Sequence, residues 1–315
     1  MITPPAPSVP STIGLTPPPR WRVWLQAVRV FSFPASVVPI VVAAALSFAA
    51  GSFEPVLIGA MLVASVACHA GANLANDYFD HVQGVDTADS LGPSKVIQQG
   101  LLSPVEVRRG MVTAFGLATI FGVGIVAVSG WPIFVLALLC LGAAFFYTGG
   151  PRPLGYIALG ELTVALSMGY GMVLGAVYVL TGRMTGADLL AATAVASLVA
   201  AILHANNLRD LEADRRAGKI TLATKLGMRN GAREFAVLVA GAFLAALAMI
   251  AVNPRWWPVC LVLLCLPRAF GLIRLGFTAQ TSLALNPLVR GTALLHLRFG
   301  LLLAAGIFVA MAFER

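Results

Sequence analysis

The sequence predicts an all-α, polytopic membrane protein of about nine transmembrane helices, on three observations. Hydrophobic residues fill 59% of the 315 positions and charged residues only 11%, where a soluble domain carries roughly 25% charge. Nine segments hold the ~20 mostly apolar residues that a spanning helix needs. The basic residues collect in alternate connecting segments, as a topological bias requires.

Taken in order, residues 1–21 are rich in proline and lack both a basic start and an apolar centre. They do not read as a signal peptide and are expected to form a disordered cytoplasmic tail. Residues 22–315 are then a single transmembrane domain. The expected spans are 34–51, 55–76, 109–129, 131–147, 158–181, 187–206, 233–252, 256–273 and 291–312. Glycine and proline inside them are tolerable because neighbouring helices re-satisfy freed backbone groups. Runs of small residues such as GYGMVLGA (169–176) allow close helix contact.

Placing the N-terminus inside puts every Lys and Arg on the inner face except Arg183, Arg255 and Arg315. That bias explains the net charge of +8 better than nucleic-acid binding, for which the basic residues are too dispersed. The outer connections are short and the inner ones long, so the chemistry is expected at the cytoplasmic face. Cys68, Cys140, Cys260 and Cys265 lie in apolar runs without metal-like spacing and read as small core hydrophobes. Trp256 and Trp257 read as an outer interfacial belt.

Two polar stretches stand out. NLANDYFDHVQGVDTAD (73–89) and NNLRDLEADRRAGKITLATKLG (206–227) each follow an apolar run. Asn76 and Asp80 are four residues apart, and Asn206, Asp210 and Asp214 repeat that step twice. On a helix this stacks oxygen-bearing side chains on one face. Asp77, Asp80, Asp86, Asp89, Asp210, Glu212 and Asp214 are seven of the 13 acidic residues. Magnesium takes oxygen ligands, usually one or two carboxylates together with substrate phosphates. Neighbouring Arg and Lys can neutralise the remaining phosphate charge. Two facing carboxylate sets therefore point to a magnesium–diphosphate site. The bland alternative is a pair of solvated loops held by salt bridges.

NDYFD (76–80) and NNLRDLEADRRAGK (206–219) resemble the two aspartate-rich motifs of the UbiA superfamily of intramembrane prenyltransferases. YTGGPRPLGYIALGE (147–161), WLQAVRVFSFPASVVPI (24–40) and LGPSKVIQQG (91–100) resemble its 1,4-dihydroxy-2-naphthoate branch, which makes the menaquinone precursor. The likeness runs from about residue 22 onward. It implies a bundle in a bacterial inner membrane with its site facing the cytoplasm. It implies Mg2+-dependent transfer from a polyprenyl diphosphate to an aromatic acceptor, here with loss of the acceptor's carboxyl group. Asn76, Asp77 and Asp80 match the first metal motif, and Asn206, Asp210 and Asp214 the second. Asp77, Asp80, Asp210 and Asp214 are the implied catalytic carboxylates. Lys95, Arg209, Arg215 and Lys219 are implied diphosphate contacts. Gly84 stands where many members carry the next Asp, with Asp86 the nearest acid; this longer spacing marks the branch. Ser94 stands where relatives often carry Arg.

Four further residues are candidates for the acceptor. Glu161 is an intramembrane carboxylate, expensive and usually functional; a helix-end acid satisfied by Arg152 or water is the alternative. Tyr147 and Tyr156 can offer ring faces to a cation or anchor at the interface. Arg29 precedes the first span and can meet the acceptor or a phosphate. His69, His204 and His296 read as hydrogen-bonded structure, and His81 as a bystander. Another aromatic acceptor, such as 4-hydroxybenzoate or homogentisate, stays open. So does a transporter, which would place its polar residues nearer the bilayer midplane.

Overall fold

The computed structural model describes residues 18–84, 94–279 and 281–312. The described chain is helical, and its sole β feature among those residues is one isolated bridge between Ile157 and Ile220. Helix α1 (Arg20–Ala27) precedes a 3-10 turn (Val30–Ser32), and then come α2 (Pro34–Ala49), α3 (Pro55–Val82), α4 (Pro104–Ser129) and α5 (Trp131–Phe146). A 3-10 turn at Leu154–Tyr156 leads into one interrupted span: α6 (Gly160–Val164), a π-helical stretch (Ala165–Gly171) and α7 (Met172–Thr181). Next are α8 (Gly186–Arg209), the short α9 (Leu211–Arg216) and α10 (Leu222–Val252). A 3-10 segment (Pro254–Cys265) runs into α11 (Leu266–Thr278), and a turn at Leu283–Leu285 opens α12 (Asn286–Ala312). The Pro-rich tail to residue 17 lies outside the described residues, and α1 already begins at Arg20.

Eight of these spans are long and apolar enough to cross a membrane; α5, with 16 residues, is the short ninth. Helix starts follow their sequence signals. Ser103–Glu106, Thr185–Asp188 and Thr221–Thr224 form reciprocal capping boxes at α4, α8 and α10. Prolines occupy the first turns of α2 to α5, where the missing N–H costs nothing.

Small residues let the helices touch. A Cβ at Gly169 would lie 2.4 Å from Ala196 Cα, and one at Gly300 would lie 2.1 Å from Val38 Cγ1. Phe243 and Phe299 meet edge to face at 5.1 Å within the main core. Helix α8 is the most buried span, and α3 and α4 are the least.

At the two motifs the helix ends differ from the sequence reading. Helix α3 runs on to Val82, so Asp77 and Asp80 are on a helix rather than in the loop after it. Its Asn and Asp side chains find protein partners there and do not need a solvated loop. Helix α8 stops at Arg209, and the backbone turns at Asp210 before α9. The Asp210 and Asp214 amides still donate to the carbonyls of Asn206 and Asp210, at 3.0 and 2.8 Å. The one-turn spacing of the second motif thus survives the kink.

Candidate active site

The first motif is organised by a bend ahead of α2. Arg29 has a left-handed backbone, φ 56 and ψ 54, a region that costs a non-glycine residue free energy. Ser32 Oγ donates to the Arg29 carbonyl at 2.8 Å, and Asn73 Nδ2 donates to the Val28 carbonyl at 2.9 Å. His69 joins the same cluster through Ser32 and Ser36. Held this way, Arg29 Nη2 donates to Asn76 Oδ1 at 2.7 Å and to Asp77 Oδ1. Asn76 Nδ2 donates to Asp80 Oδ2 at 2.9 Å. Arg29, read from the sequence as an acceptor contact, therefore sits on the first motif.

The second motif carries its own guanidinium. Arg209 grips Asp210 with two hydrogen bonds, Nε to Oδ1 at 2.8 Å and Nη2 to Oδ2 at 2.6 Å, and reaches Asn206 Oδ1 at 2.8 Å. Asp214 is buried, with Lys219 Nζ 3.8 Å from its Oδ1. Burial pushes the Asp214 carboxyl up to about 7; Lys219 opposes the rise, while Asp210 and Asp80 add to it. Arg215 is elsewhere: its exposed side chain pairs with Glu212.

The loop from Tyr147 to Gly160 closes over both motifs. Ile157 bridges Ile220, with the Ala158 amide donating to the Ile220 carbonyl at 2.8 Å. This fastens the loop to the strand of chain after α9. Tyr156 then donates its hydroxyl to Asp80 Oδ1, and Lys219 Nζ lies 4.8 Å over the Tyr156 ring. Gly155 admits the Tyr147 ring, whose Cζ would be 3.1 Å from a Cβ there. The Tyr147 hydroxyl also packs at Gly160, 3.2 Å from where a Cβ would stand there. Glu161 Oε1 is 3.0 Å from His204 Nδ1 and accepts from Asn207 Nδ2 at 3.0 Å. Arg152 has no part in that bonding; His204 and Asn207 supply it.

Lys95 follows buried Ser94, whose carbonyl accepts from Gln26 Nε2 at 2.5 Å. Asp86 and Asp89 lie outside the described residues. Among the described residues no three His, Cys, Asp or Glu side chains converge as a ready-made metal cage. The donor set still suits magnesium, which needs only one or two carboxylates beside substrate oxygens. Asp77 Oδ2 and Asp214 Oδ2, one on each motif, are buried without a hydrogen-bond partner among the described residues. Sequence reasoning missed Asn73 and Asn207. Their signal was present as an asparagine one turn from a motif residue or a buried histidine.

The profile of the UbiA prenyltransferase family matches residues 36–285. The chain belongs to the UbiA prenyltransferase family. Among its relatives is the 1,4-dihydroxy-2-naphthoate octaprenyltransferase of Escherichia coli (strain K12), 33% identical over 92% of this chain and 96% of that protein. UbiA prenyltransferase domain-containing protein 1 of Gallus gallus is 34% identical over 93% of this chain and 87% of the relative. The fold matches a UbiA homolog from Archaeoglobus fulgidus with a TM-score of 0.64 at 14% identity, covering 92% of this chain and 99% of that one. The same homolog solved with GPP and Mg2+ gives 0.60 over the same shares, at 15% identity. As a UbiA family member the chain is a prenyltransferase enzyme and an integral membrane protein.

Proposed function

We propose that this UbiA prenyltransferase uses Mg2+ to move a prenyl chain from a polyprenyl diphosphate onto 1,4-dihydroxy-2-naphthoate, with loss of the acceptor's carboxyl group. The observation that carries it is the facing of two Asn-led carboxylate sets under the Tyr156 loop. The acceptor assignment rests on the similarity to several naphthoate octaprenyltransferases along nearly the whole chain.

Asn76, Asp77 and Asp80 on one side, and Asn206, Asp210 and Asp214 on the other, would hold the metal. Bound with the diphosphate, magnesium would supply Lewis-acid stabilisation of the leaving group. Arg209, Lys219 and Lys95 neutralise the remaining phosphate charge as the C1–O bond lengthens. The Tyr156 and Tyr147 rings face the developing allylic cation, which is attacked by a ring carbon of the acceptor. The surrounding bundle keeps water from that cation and accepts the apolar chain. The same reading puts the N-terminus and the site at the cytoplasmic face of a bacterial inner membrane, as the distribution of Lys and Arg supports.

The test is an assay on purified protein in liposomes. It uses farnesyl or geranylgeranyl diphosphate, Mg2+ or EDTA, and dihydroxynaphthoate and 4-hydroxybenzoate in parallel. A decarboxylated prenyl naphthoquinol formed only with metal is the expected product. Product from 4-hydroxybenzoate alone would overturn the acceptor and keep the chemistry. Absence of metal-dependent diphosphate release with either acceptor would overturn both.

A further inference from the structure

Three parts of the chain meet at one carboxylate that belongs to neither acidic motif. Glu161, in the first turn of α6, is buried. Its Oε1 accepts from Asn207 Nδ2 and lies against His204 Nδ1, both at 3.0 Å. The other nitrogen of that ring, Nε2, is 2.9 Å from the Gly231 carbonyl of α10. Helices α8 and α10 come this close because residue 231 is glycine; a Cβ there would stand 2.5 Å from Leu208 Cδ2.

The two partners of Glu161 flank Asn206, the first residue of the second motif. His204 and Asn207 are three residues apart on α8, and Asn206 lies between them. On the other side, Glu161 follows closely on Tyr156 and Ile157, the residues that touch Asp80 and Ile220. One carboxylate oxygen therefore fixes the Tyr156 loop and the end of α8 relative to each other. Hydrogen bonds to a charged acceptor are the stronger kind, and in a dry bundle they hold their geometry well.

We propose that Glu161 is a positioning residue for prenyl transfer, acting through His204 and Asn207 to keep Asn206 and Asp210 facing Asp80 beneath the Tyr156 loop. This rests on reading the motifs as a metal–diphosphate site. The rival role comes from Oε2, which is buried without a hydrogen-bond partner among the described residues: that oxygen would bind the acceptor's hydroxyl directly.

Full-length wild type, Glu161→Leu, Glu161→Gln and Asn207→Leu separate the two. A glutamine that puts its amide oxygen in the place of Oε1 still accepts from Asn207 Nδ2 and from a hydrogen on His204 Nδ1. Binding of Mn2+ with inorganic pyrophosphate is read by the loss of the free-ion electron paramagnetic resonance signal. The kcat and the KM for each substrate are measured alongside. Misplacement of site groups by about 1 Å costs about 100-fold in rate, so Glu161→Leu is expected to lose that much kcat. Its Mn2+–pyrophosphate affinity falls with it, and its acceptor KM stays near the wild-type value. Glu161→Gln is expected to recover both quantities, and Asn207→Leu to weaken Mn2+–pyrophosphate binding without Glu161 being touched. A glutamine variant as inactive as the leucine one, with intact Mn2+–pyrophosphate binding, would overturn positioning in favour of the Oε2 role. Wild-type binding in both Asn207→Leu and Glu161→Leu would overturn it outright. Wild-type protein that binds no Mn2+ with pyrophosphate would fail the site reading itself, a result separate from either.

Discussion

Tyr156 donates its hydroxyl to Asp80 Oδ1 while its ring lies under Lys219 Nζ at 4.8 Å. One tyrosine from the loop after α5 thus touches a carboxylate of the first motif and a cation of the second. Removing the hydroxyl separates these roles. Tyr156→Phe keeps the ring and loses a hydrogen bond to a charged group, worth about 1.5–3 kcal/mol. The expected result is a fall of roughly 10- to 100-fold in kcat/KM for the prenyl diphosphate, with the fold unchanged by circular dichroism. A rate within twofold of wild type would show that the contact is incidental.

Arg209 grips Asp210 with two parallel bonds and reaches Asn206 with a third contact. Lysine keeps the charge and loses the fork. Arg209→Lys is expected to lower kcat/KM by tenfold or more, of order 1.4 kcal/mol. Steady-state kinetics at fixed Mg2+ check this; full activity in the lysine variant would mean that charge alone suffices at this position.

Asp214 gives a pH dependence with a definite sign. Its folded value, about 7, lies above the ordinary 3.8 because burial disfavours the carboxylate. The folded protein therefore holds this proton more tightly than the unfolded chain does. Metal-free protein should lose stability as pH rises from about 4 to about 7 and then level off. Melting temperatures from pH 5 to pH 8 in EDTA test it. Asp214→Asn should flatten that slope, and an unchanged slope would assign the titration to another group.

Gly169 packs against the backbone of Ala196, with no flexible side chain to move aside. Gly169→Ala is expected to destabilise by about 1–3 kcal/mol through overpacking. Gly59→Ala, where a Cβ would have nothing within 4 Å, should be near neutral. Thermal unfolding in detergent compares the two, and equal melting temperatures would contradict the close contact.

The helices were legible because lipid imposes one simple rule, an apolar stretch of about 20 residues for each crossing. Six or more residues were misjudged where the rule stops. Helix α3 extends beyond residue 76 through Asp77 and Asp80, since Arg29 and Tyr156 replace solvent as partners. Likewise α10 starts at Leu222 instead of 233, because its charged first turns remain helical outside the apolar stretch, broken only at Gly227 with φ 72. The two acidic motifs could be read from residue spacing. The pairing of Tyr156 with Asp80, and of Glu161 with Asn207, could not, as it depends on how a loop folds over two distant helices. Arg215 looked like its neighbours Arg209 and Lys219 in sequence, but α9 turns it outward to Glu212.

The unequal burial of the two motif helices bears on which positions can be varied. Helix α8 is wrapped by other helices, and its Ala191, Ala192, Ala194 and Ala201 have no surface to yield. Helix α3 turns much of its length outward, with Val56 and Val63 exposed. A library that randomises outward α3 positions among lipid-soluble residues should retain most of its members, whereas one directed at α8 should lose most of them. The freer ground lies away from the first carboxylate set, because Leu74, Ala75, Asp77 and Asp80 around it are buried as well.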